Sequence, residues 1–380
     1  MNITTEPAEE RWHDLQDPGA YEWWYFDIED PQSGVSIVVI WFAGFPFSPS
    51  YQEHYERWQR NGAGGSDGAP APLDYAGFSF QLYEQGRETI NFIREGRRGL
   101  FESSRTAVGA AFEKSRFTYD ALRDEYRLSI DFDFPARQKS VQAELLFSAC
   151  RTVDYRRRDG NNEGAVPCHQ WLLRVPRAEV SGRVEVSDAR PGVASRRIEV
   201  RADGYHDHNL GTMPMQEYIS RWYWGRAFSE RVDVIYYVIF FRNPAFKPLT
   251  LLMLGDNLRG GTVVRDGAGF SESRFTRGFF APPHGRELRI TDGDVAITID
   301  QQRVLDAGPF YLRFSSSISL ELDGERIDGL GGISEFLSPV RLESRFMRFF
   351  TRSRVWRDGE ESAMYRRYNF IKDRLDWFKR

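Results

Sequence analysis

Cysteine is scarce in this sequence, and long apolar runs are absent. Cys150 and Cys168 are the two cysteines in 380 residues, too few for a disulfide scaffold or a four-thiolate zinc site. No stretch approaches the roughly 18 consecutive apolar residues of a membrane-spanning helix. The first part of the chain is rich in Asp and Glu and has no apolar run, so we expect no signal peptide. Together these absences predict a cytoplasmic protein.

An excess of basic residues is missing as well. The sequence has 51 Lys and Arg against 55 Asp and Glu, a formal charge of −4. General nucleic-acid binders use a basic excess to displace the counterions of phosphate groups. We therefore expect no nucleic acid among the partners of this protein.

Several catalytic signatures are also missing. The sequence contains no G-x-S-x-G motif, no H-E-x-x-H motif and no phosphate-binding P-loop. It therefore argues against a serine hydrolase, a zinc protease of that type and a nucleoside triphosphatase.

The sequence is rich in β-strand signals. Short runs of β-branched and aromatic residues recur between Gly, Pro, Asn and Asp clusters, for example Val35 to Phe42 and Val232 to Phe241. The run from Phe310 to Leu322 alternates apolar and polar residues, with the period of two that is typical of a strand with one buried face. Helical patterns are few, the clearest being Tyr51 to Gln59 and Glu361 to Phe378. We therefore predict an all-β protein of antiparallel strands.

Two halves with similar strand content predict two consecutive β-barrels. A polar stretch with Pro and Gly lies near the middle of the chain, from Asp188 to Arg201, and such stretches are common at domain boundaries. We place an N-terminal barrel at residues 15–200. A C-terminal barrel followed by a helix then occupies residues 201–380.

The first candidate site cluster is the aromatic run from Tyr21 to Asp27, YEWWYFD. Side chains alternate along a strand, so Trp23 and Tyr25 point to one face and Trp24 to the other, beside Glu22. A carboxylate among indole rings is costly unless it is paired or its pKa is raised. The run is thus either part of an active site or a strand of an aromatic core.

The second cluster is the run from Asp203 to Gly211, DGYHDHNLG. On an extended chain His206 and His208 lie on one face. The opposite face carries Tyr205, Asp207 and Asn209. Burial in an apolar barrel could raise the pKa of a carboxyl group here or at Glu22 and keep a proton available at neutral pH. The alternative is that Asp207 and Asn209 only cap a turn.

A metal is the less favoured use of these histidines. Two histidines at i and i+2 can bind a metal ion if His169 or His284 adds a third ligand. No third and fourth ligand is evident in the sequence, so we expect no metal. A third aromatic run, RWYWGR from Arg221 to Arg226, follows the histidine cluster.

The C-terminal segment is basic in a chain that is otherwise acidic. Residues 345–380 hold 11 Lys or Arg and five Asp or Glu. An apolar stripe at helical spacing runs through this segment, formed by Tyr365, Tyr368, Ile371, Leu375 and Phe378. Such a helix could contact an anionic membrane peripherally, but we favour a helix that packs across a barrel.

Four motifs in order along the chain carry a resemblance to a known family. They are Glu22-Trp23-Trp24-Tyr25, the run from Gly204 to Asn209, the run from Trp222 to Arg226, and Gly332-Ile333-Ser334-Glu335. With them the chain resembles the carotenoid 1,2-hydratase (hydroxyneurosporene synthase) family and its wider lipocalin-like relatives. Those relatives include AttH-type proteins and the fungal Diels-Alderases of decalin biosynthesis.

The resemblance implies two lipocalin-like barrels and an enzyme that acts on an apolar polyene or isoprenoid without a cofactor. The reaction we expect is acid-catalysed hydration of a terminal carbon–carbon double bond. Asp207 is the expected acid, with Glu22 in reserve, and His206, His208 or Asn209 would orient the water. The expected substrate-binding residues are Trp23, Trp24, Tyr25, Tyr205, Asn209, Trp222, Trp224 and Arg226. Two alternatives stay open: a cyclase such as a pericyclase, and a carrier that only binds a lipophilic molecule.

Overall fold

A computed structural model describes residues 1–62, 68–158, 168–278, 281–357, 359 and 362–377, with side chains up to residue 372. The described chain is built mainly from antiparallel strands, which confirms the predicted all-β class. It forms two compact units, one of Met1–Pro214 with Phe349–Arg380 and one of Met215–Arg348.

A 14-stranded sheet forms the first unit. Its strands are β1 (Asn2–Thr4), β2 (Tyr21–Asp30), β3 (Val35–Ala43), β4 (Ala76–Glu84), β5 (Arg87–Gly96), β6 (Phe101–Ser103), β7 (Gly109–Phe112), β8 (Ser115–Asp120), β9 (Glu125–Phe134), β10 (Lys139–Arg151), β11 (Arg156–Arg157), β12 (Gln170–Asp188), β13 (Arg196–Gly211) and, near the C-terminus, β23 (Val355–Arg357). The main path runs β23-β5-β4-β3-β2-β13-β12-β10-β9-β8-β7-β6.

This sheet curls so that strands far apart in its order face one another. Phe26 on β2 packs against Phe117 on β8, with ring centroids 5.1 Å apart. Phe92 on β5 stacks on Phe132 on β9 at 4.3 Å. These aromatic residues belong to one apolar core enclosed by the sheet, so the alternating pattern of the strands produces a barrel-like interior.

A nine-stranded sheet forms the second unit, in the order β17-β16-β15-β14-β22-β21-β20-β19-β18. Its strands are β14 (Ile219–Ala227), β15 (Val232–Phe241), β16 (Leu249–Asp256), β17 (Thr262–Asp266), β18 (Gly269–Thr276), β19 (His284–Asp292), β20 (Val295–Ala307), β21 (Tyr311–Leu322) and β22 (Glu325–Leu337). Tyr223 on β14 donates a hydrogen bond of 2.5 Å to Glu272 on β18, so this sheet also curls onto itself.

The two units follow the same plan. In each, a four-stranded meander is followed by further antiparallel strands, and the last long strand returns to pair with the first strand of the meander. These closing pairs are β13 with β2 and β22 with β14. The shared plan fits two related barrels in sequence.

The limits of the units differ from the barrels that we placed at residues 15–200 and 201–380. The polar stretch from Asp188 to Arg201 lies in the β12–β13 hairpin inside the first unit. The first unit continues to Pro214, and residues from Phe349 onward also belong to it. Hairpin turns and domain linkers are both polar and rich in Gly and Pro. Composition alone therefore could not distinguish a turn within the first unit from a boundary between two units.

Helices are few among the described residues. The α-helices there are α1 (Pro49–Arg60), α2 (Met215–Tyr218), α3 (Arg345–Thr351) and α4 (Ala363–Trp377). The Ser48 side chain caps α1 by accepting a hydrogen bond from the Tyr51 amide at 3.0 Å. Within the described ranges, none of the helices is both long and apolar enough to cross a bilayer.

Helix α4 packs on the first unit through a face that matches the predicted stripe only in part. Tyr365 is buried in the core of that unit, as expected, and Asn369 one turn later is buried too. Ile371, which the apolar pattern placed inside, is 47% exposed. The side chains of Leu375 and Phe378 lie outside the described residues. The apolar pattern failed here because a buried polar group, Asn369, has a specific partner in the barrel wall.

That partner is Arg137, in the turn between β9 and β10. The Arg137 Nε donates to the Asn369 Oδ1 at 3.0 Å, and Arg137 also pairs with Glu88 on β5. Burial alone would raise the pKa of Glu88, but the charges of Arg354, Lys372 and Arg137 outweigh this and lower it to about 2. An ionised Glu88 therefore holds the C-terminal segment against the barrel.

Removing the Tyr365 ring should destabilise the first unit. We expect Tyr365→Ala to cost about 3 kcal/mol of unfolding free energy, as for other large aromatic residues deleted from a core. Phe370→Ala, a change to a 55% exposed ring on the same helix, should shift it by less than about 0.5 kcal/mol. Urea unfolding followed by fluorescence measures both, and equal effects would show that α4 does not dock through Tyr365.

Candidate active site

The two sequence clusters lie on neighbouring strands. β2 and β13 pair in antiparallel register, with Tyr25 opposite Asp207 and Trp23 opposite Asn209. Because side chains alternate along both strands, each cluster is divided between two faces of the sheet. The inner face carries Trp24 and Phe26 toward the barrel core, and we call the opposite side the outer face.

Asp207 is the centre of a hydrogen-bonded group on the outer face. Its Oδ2 accepts from the Tyr205 hydroxyl at 2.7 Å and from the Trp171 indole Nε1 at 2.9 Å. Its Oδ1 accepts from the Asn209 amide at 2.9 Å. Trp171 comes from β12, the neighbour of β13 on the other side. Three partners from two strands thus fix the orientation of this carboxyl group.

The nature of these partners decides how Asp207 can carry a proton. The Trp171 indole and the Asn209 amide nitrogen can only donate, whereas a tyrosine hydroxyl can donate or accept. A protonated Asp207 can therefore keep all three hydrogen bonds if Tyr205 reverses its role. These three hydrogen bonds are therefore compatible with both the acid and its conjugate base.

Other polar groups lie along the same face. The Tyr25 hydroxyl donates to Asp27 at 2.9 Å. His169, just before β12, contacts the Tyr21 hydroxyl through Nδ1 at 2.8 Å. Burial lowers the pKa of His169 to about 3, so its ring is neutral at physiological pH. Its buried Nε2 has no hydrogen-bond partner among the described residues.

Glu22 is on the inner face, between two histidines. Its Oε1 lies 2.9 Å from the Nδ1 of His13 and 2.9 Å from the Nε2 of His208. The backbone amide of His13 also donates to both carboxylate oxygens, at 3.1 Å. His208 stacks on Trp24, with ring centroids 4.7 Å apart.

The protonation of this triad follows from its contacts. Burial disfavours charge on Glu22, but the hydrogen bonds from His13 and His208 outweigh it and lower the pKa of Glu22. Burial also opposes charge on His13, yet the hydrogen bond and charge of Glu22 raise the pKa of His13. For His208 burial prevails and lowers its pKa. Glu22 is thus ionised at neutral pH, contrary to the raised pKa that its place among indole rings suggested.

His206 is held by a second acid from the N-terminal segment. Its Nε2 lies 2.7 Å from Glu10 Oε1, and its Nδ1 lies 2.9 Å from the backbone oxygen of Tyr25. A carbonyl oxygen only accepts, so Nδ1 must donate, and the Glu10–His206 contact then needs a further proton on one of its two partners. Tyr126 donates to the other oxygen of Glu10 at 2.6 Å, and the Arg174 guanidinium lies 3.2 Å from it. The pair is a buried contact that links the N-terminal segment to β13.

The structure therefore brings together some predicted residues and separates others. Asp207, Tyr205 and Asn209 form one group, and Trp23 and Tyr25 lie on the strand beside it. His206, His208 and Glu22 point to the inner face, so they do not contact the Asp207 carboxyl group.

Among the described residues, the histidines of the metal combinations that the sequence allowed make other contacts. Both ring nitrogens of His206 are engaged, His169 contacts Tyr21, and His284 of the second unit contacts the backbone oxygen of Pro282. A different set, His13, Glu22 and His208, has ligand atoms within 4.8 Å of one another. Each histidine in that set already shares a hydrogen bond with Glu22, which accounts for the short distances.

The third aromatic run lies in the second unit. Trp222, Trp224 and Arg226 alternate on β14 with Tyr223, whose ring points into the core of that unit. Trp222 and Tyr237 make an edge-to-face contact at 6.3 Å, and the Arg226 guanidinium lies 4.7 Å from the Phe228 ring centre. A role for these three residues in substrate binding stays a prediction.

Sequence reasoning missed three residues that contact the clusters. Glu10 and His13 lie in an N-terminal segment that is polar and carries no recognisable motif. Trp171 follows His169 by two positions, so the two residues share a strand face, and this H-x-W spacing beside β13 was the available signal.

Solved structures share this fold. CghA in complex with Sch210972 matches with a TM-score of 0.57 over 84% of this chain and 89% of its own, at 13% identity. AttH from Nitrosomonas europaea matches with a TM-score of 0.54 over 87% and 95%, at 16% identity. The fold defines a two-unit, lipocalin-like β protein of the AttH type.

Sequence comparison identifies the family within this class. The model of the carotenoid hydratase CrtC family matches residues 161–363. Hydroxyneurosporene dehydrogenase of Chlorobaculum tepidum is 53% identical over 99% of this chain and 97% of its own length. Acyclic carotenoid 1,2-hydratase of Thiocapsa roseopersicina is 25% identical over 88% of this chain and 74% of its own. The chain belongs to the carotenoid hydratase family and is an enzyme with hydratase-like function.

Replacing Glu22 should alter how stability depends on pH. The lowered pKa means that the stabilisation from Glu22 is present above its ordinary pKa of 4.5 and is lost as pH falls through the lowered pKa. In Glu22→Gln this acid-dependent loss should be absent, with lower stability at neutral pH because two histidines lose an anionic partner. Thermal unfolding from neutral pH to below 4.5 measures the difference. Parallel curves for the two proteins would refute the assigned charge state.

Proposed function

We propose that this enzyme adds water to a terminal double bond of an acyclic carotenoid or similar isoprenoid, without a metal or an organic cofactor. The observation that carries the proposal is the Asp207 carboxyl group, fixed by Tyr205, Trp171 and Asn209 on a strand lined with aromatic residues. Membership of the carotenoid hydratase family supports the reaction type.

The proposed reaction begins with proton transfer from Asp207 to the less substituted carbon of the alkene. A C–H bond forms, the π bond breaks and a tertiary cation remains on the neighbouring carbon. Aromatic ring faces such as that of Trp23 stabilise this cation. Because Tyr205, Trp171 and Asn209 all can donate to the conjugate base, the carboxylate formed at Asp207 is stabilised where it forms.

Water then adds to the cation and must lose a proton. His169 can accept it at Nε2 in the neutral tautomer whose Nδ1 donates to the Tyr21 hydroxyl, because Nε2 then carries a lone pair and has no other partner among the described residues. Return of a proton to Asp207 completes the cycle, so no oxidant or reductant is consumed. His169 thus enters the proposal as a base rather than as a metal ligand.

The name of the Chlorobaculum relative points to another reaction, dehydrogenation. Two further alternatives were left open by the sequence, cyclisation of a polyene and binding of a lipophilic molecule without reaction. Mass spectrometry of the product separates them. Hydration adds one water to the substrate, dehydrogenation removes two hydrogen atoms, cyclisation gives an isomer, and a carrier returns its ligand unchanged. We expect a gain of one water.

Asp207→Asn should lower the hydration rate by about 10² to 10⁴, the usual contribution of a general acid. The amide keeps the shape of the side chain but cannot transfer a proton. Asp203→Asn is the matched control, since Asp203 lies on the same strand and pairs with Arg177; it should retain activity. Near-normal hydration by Asp207→Asn would exclude Asp207 as the acid. If the protein is instead a cyclase that needs only a hydrogen-bond donor at this position, the Asp207→Asn variant would keep much of its cyclase activity.

Cofactor independence can be tested on the same assay. Enzyme treated with a chelator, desalted and supplied with no nucleotide should hydrate the substrate at the rate of untreated enzyme. Loss of activity that a particular metal ion restores would overturn this part of the proposal, and His13→Ala would then test the His13, Glu22 and His208 cluster as its site.

A further inference from the structure

Helix α4 buries a polar residue, Asn369, and exposes the two apolar residues that follow it. Asn369 is 1% exposed and bonded to Arg137, and the Lys372 Nζ lies 3.3 Å from Glu88 Oε1. The neighbouring residues Phe370 and Ile371 are 55% and 47% exposed. At these three positions the burial is the reverse of the usual amphipathic arrangement. About half of each apolar side chain is therefore available for contact with something outside this unit.

The same outward face is cationic. Arg366 and Arg367 are exposed one turn before Phe370 and Ile371, at the i, i+4 spacing that makes them neighbours on the helix surface. Residues 362–372 contain three Lys or Arg and no Asp or Glu. Lys372 is paired with Glu88, so the positive charge presented by this stretch comes from the two arginines.

We propose that this face of α4, formed by Arg366, Arg367, Phe370 and Ile371, docks on the surface of an anionic lipid bilayer. Aromatic and aliphatic side chains enter the headgroup region while adjacent arginines pair with lipid phosphates. The docking face follows from the exposure and charge of these residues. Docking would give the enzyme access to an apolar substrate dissolved in the bilayer, and this purpose rests on the proposed function.

The chemistry of the face favours a bilayer over a second copy of the chain. In a symmetric dimer the same patch meets itself, which would bring Arg366 and Arg367 of the two copies together. Two large apolar side chains also form a much smaller contact than a stable protein interface requires. A bilayer surface needs only a few inserted side chains together with attraction between cations and anionic lipid.

Cosedimentation with vesicles tests the site directly. We expect the full chain to bind vesicles of phosphatidylglycerol and phosphatidylcholine, and to bind pure phosphatidylcholine vesicles much more weakly. Binding should weaken as salt is added. The double change Arg366→Gln, Arg367→Gln should reduce affinity by roughly tenfold or more, and Phe370→Ser with Ile371→Ser should reduce it similarly.

Phe275→Ser is the matched control. Phe275 is 64% exposed on β18 in the second unit, and its loss should leave vesicle binding unchanged. Circular dichroism and thermal melting verify that each variant is folded. Absence of wild-type binding to anionic vesicles, or equal binding by wild type and both α4 variants, would overturn the proposal. Concentration-dependent dimerisation that the Phe370 and Ile371 changes abolish would assign the face to a second copy instead.

A paired activity assay separates this inference from the proposed reaction. With acyclic carotenoid in detergent micelles, the α4 variants should hydrate as fast as wild type. With the same substrate embedded in anionic vesicles, they should be several-fold slower. If wild type produces no hydrated product in either system, the proposed reaction is wrong. The membrane-docking proposal is then still decided by the vesicle-binding measurement, which does not depend on turnover.

Discussion

The antiparallel pairing of β2 with β13 is the constraint on which the first unit depends. It joins the first strand of the meander to the last long strand of the sheet, and so it closes the order of strands around the aromatic core. It also places the two chemically richest segments of the chain side by side. Strict alternation along both strands then separates their polar groups into two sets with different surroundings.

The inner set consists of acid–histidine hydrogen bonds. Glu22 and Glu10 each hold a histidine of β13, and both pairs bring in the N-terminal segment through Glu10 and His13. Buried charges are tolerated only when hydrogen bonds replace the lost water. The hydrogen bonds to Glu22 therefore explain how an ionised side chain exists among stacked aromatic rings, and both pairs tie the start of the chain to its middle.

The outer set has a different character. Asp207 accepts hydrogen bonds from the neutral side chains of Trp171, Tyr205 and Asn209, and the tyrosine hydroxyl can reverse its role as donor. These three hydrogen bonds are compatible with either protonation state of Asp207, whereas the hydrogen bonds from two histidines favour the ionised form of Glu22. This contrast between two acids on adjacent strands is the physical reason for proposing Asp207, rather than Glu22, as the proton donor.

The sequence by itself determined the all-β class, the division of side chains between strand faces and the family. Strand period and aromatic spacing are local properties, so they can be read from the sequence without knowing which residues are in contact in the fold. Tertiary structure alone decided the charge state of Glu22, the partners of Asp207 and the orientation of α4. Each of these depends on residues far apart in the chain, such as Trp171 beside Asp207 or Arg137 beside Asn369. The apolar pattern of α4 misled because burial follows the partners that the barrel offers, and no local pattern encodes those.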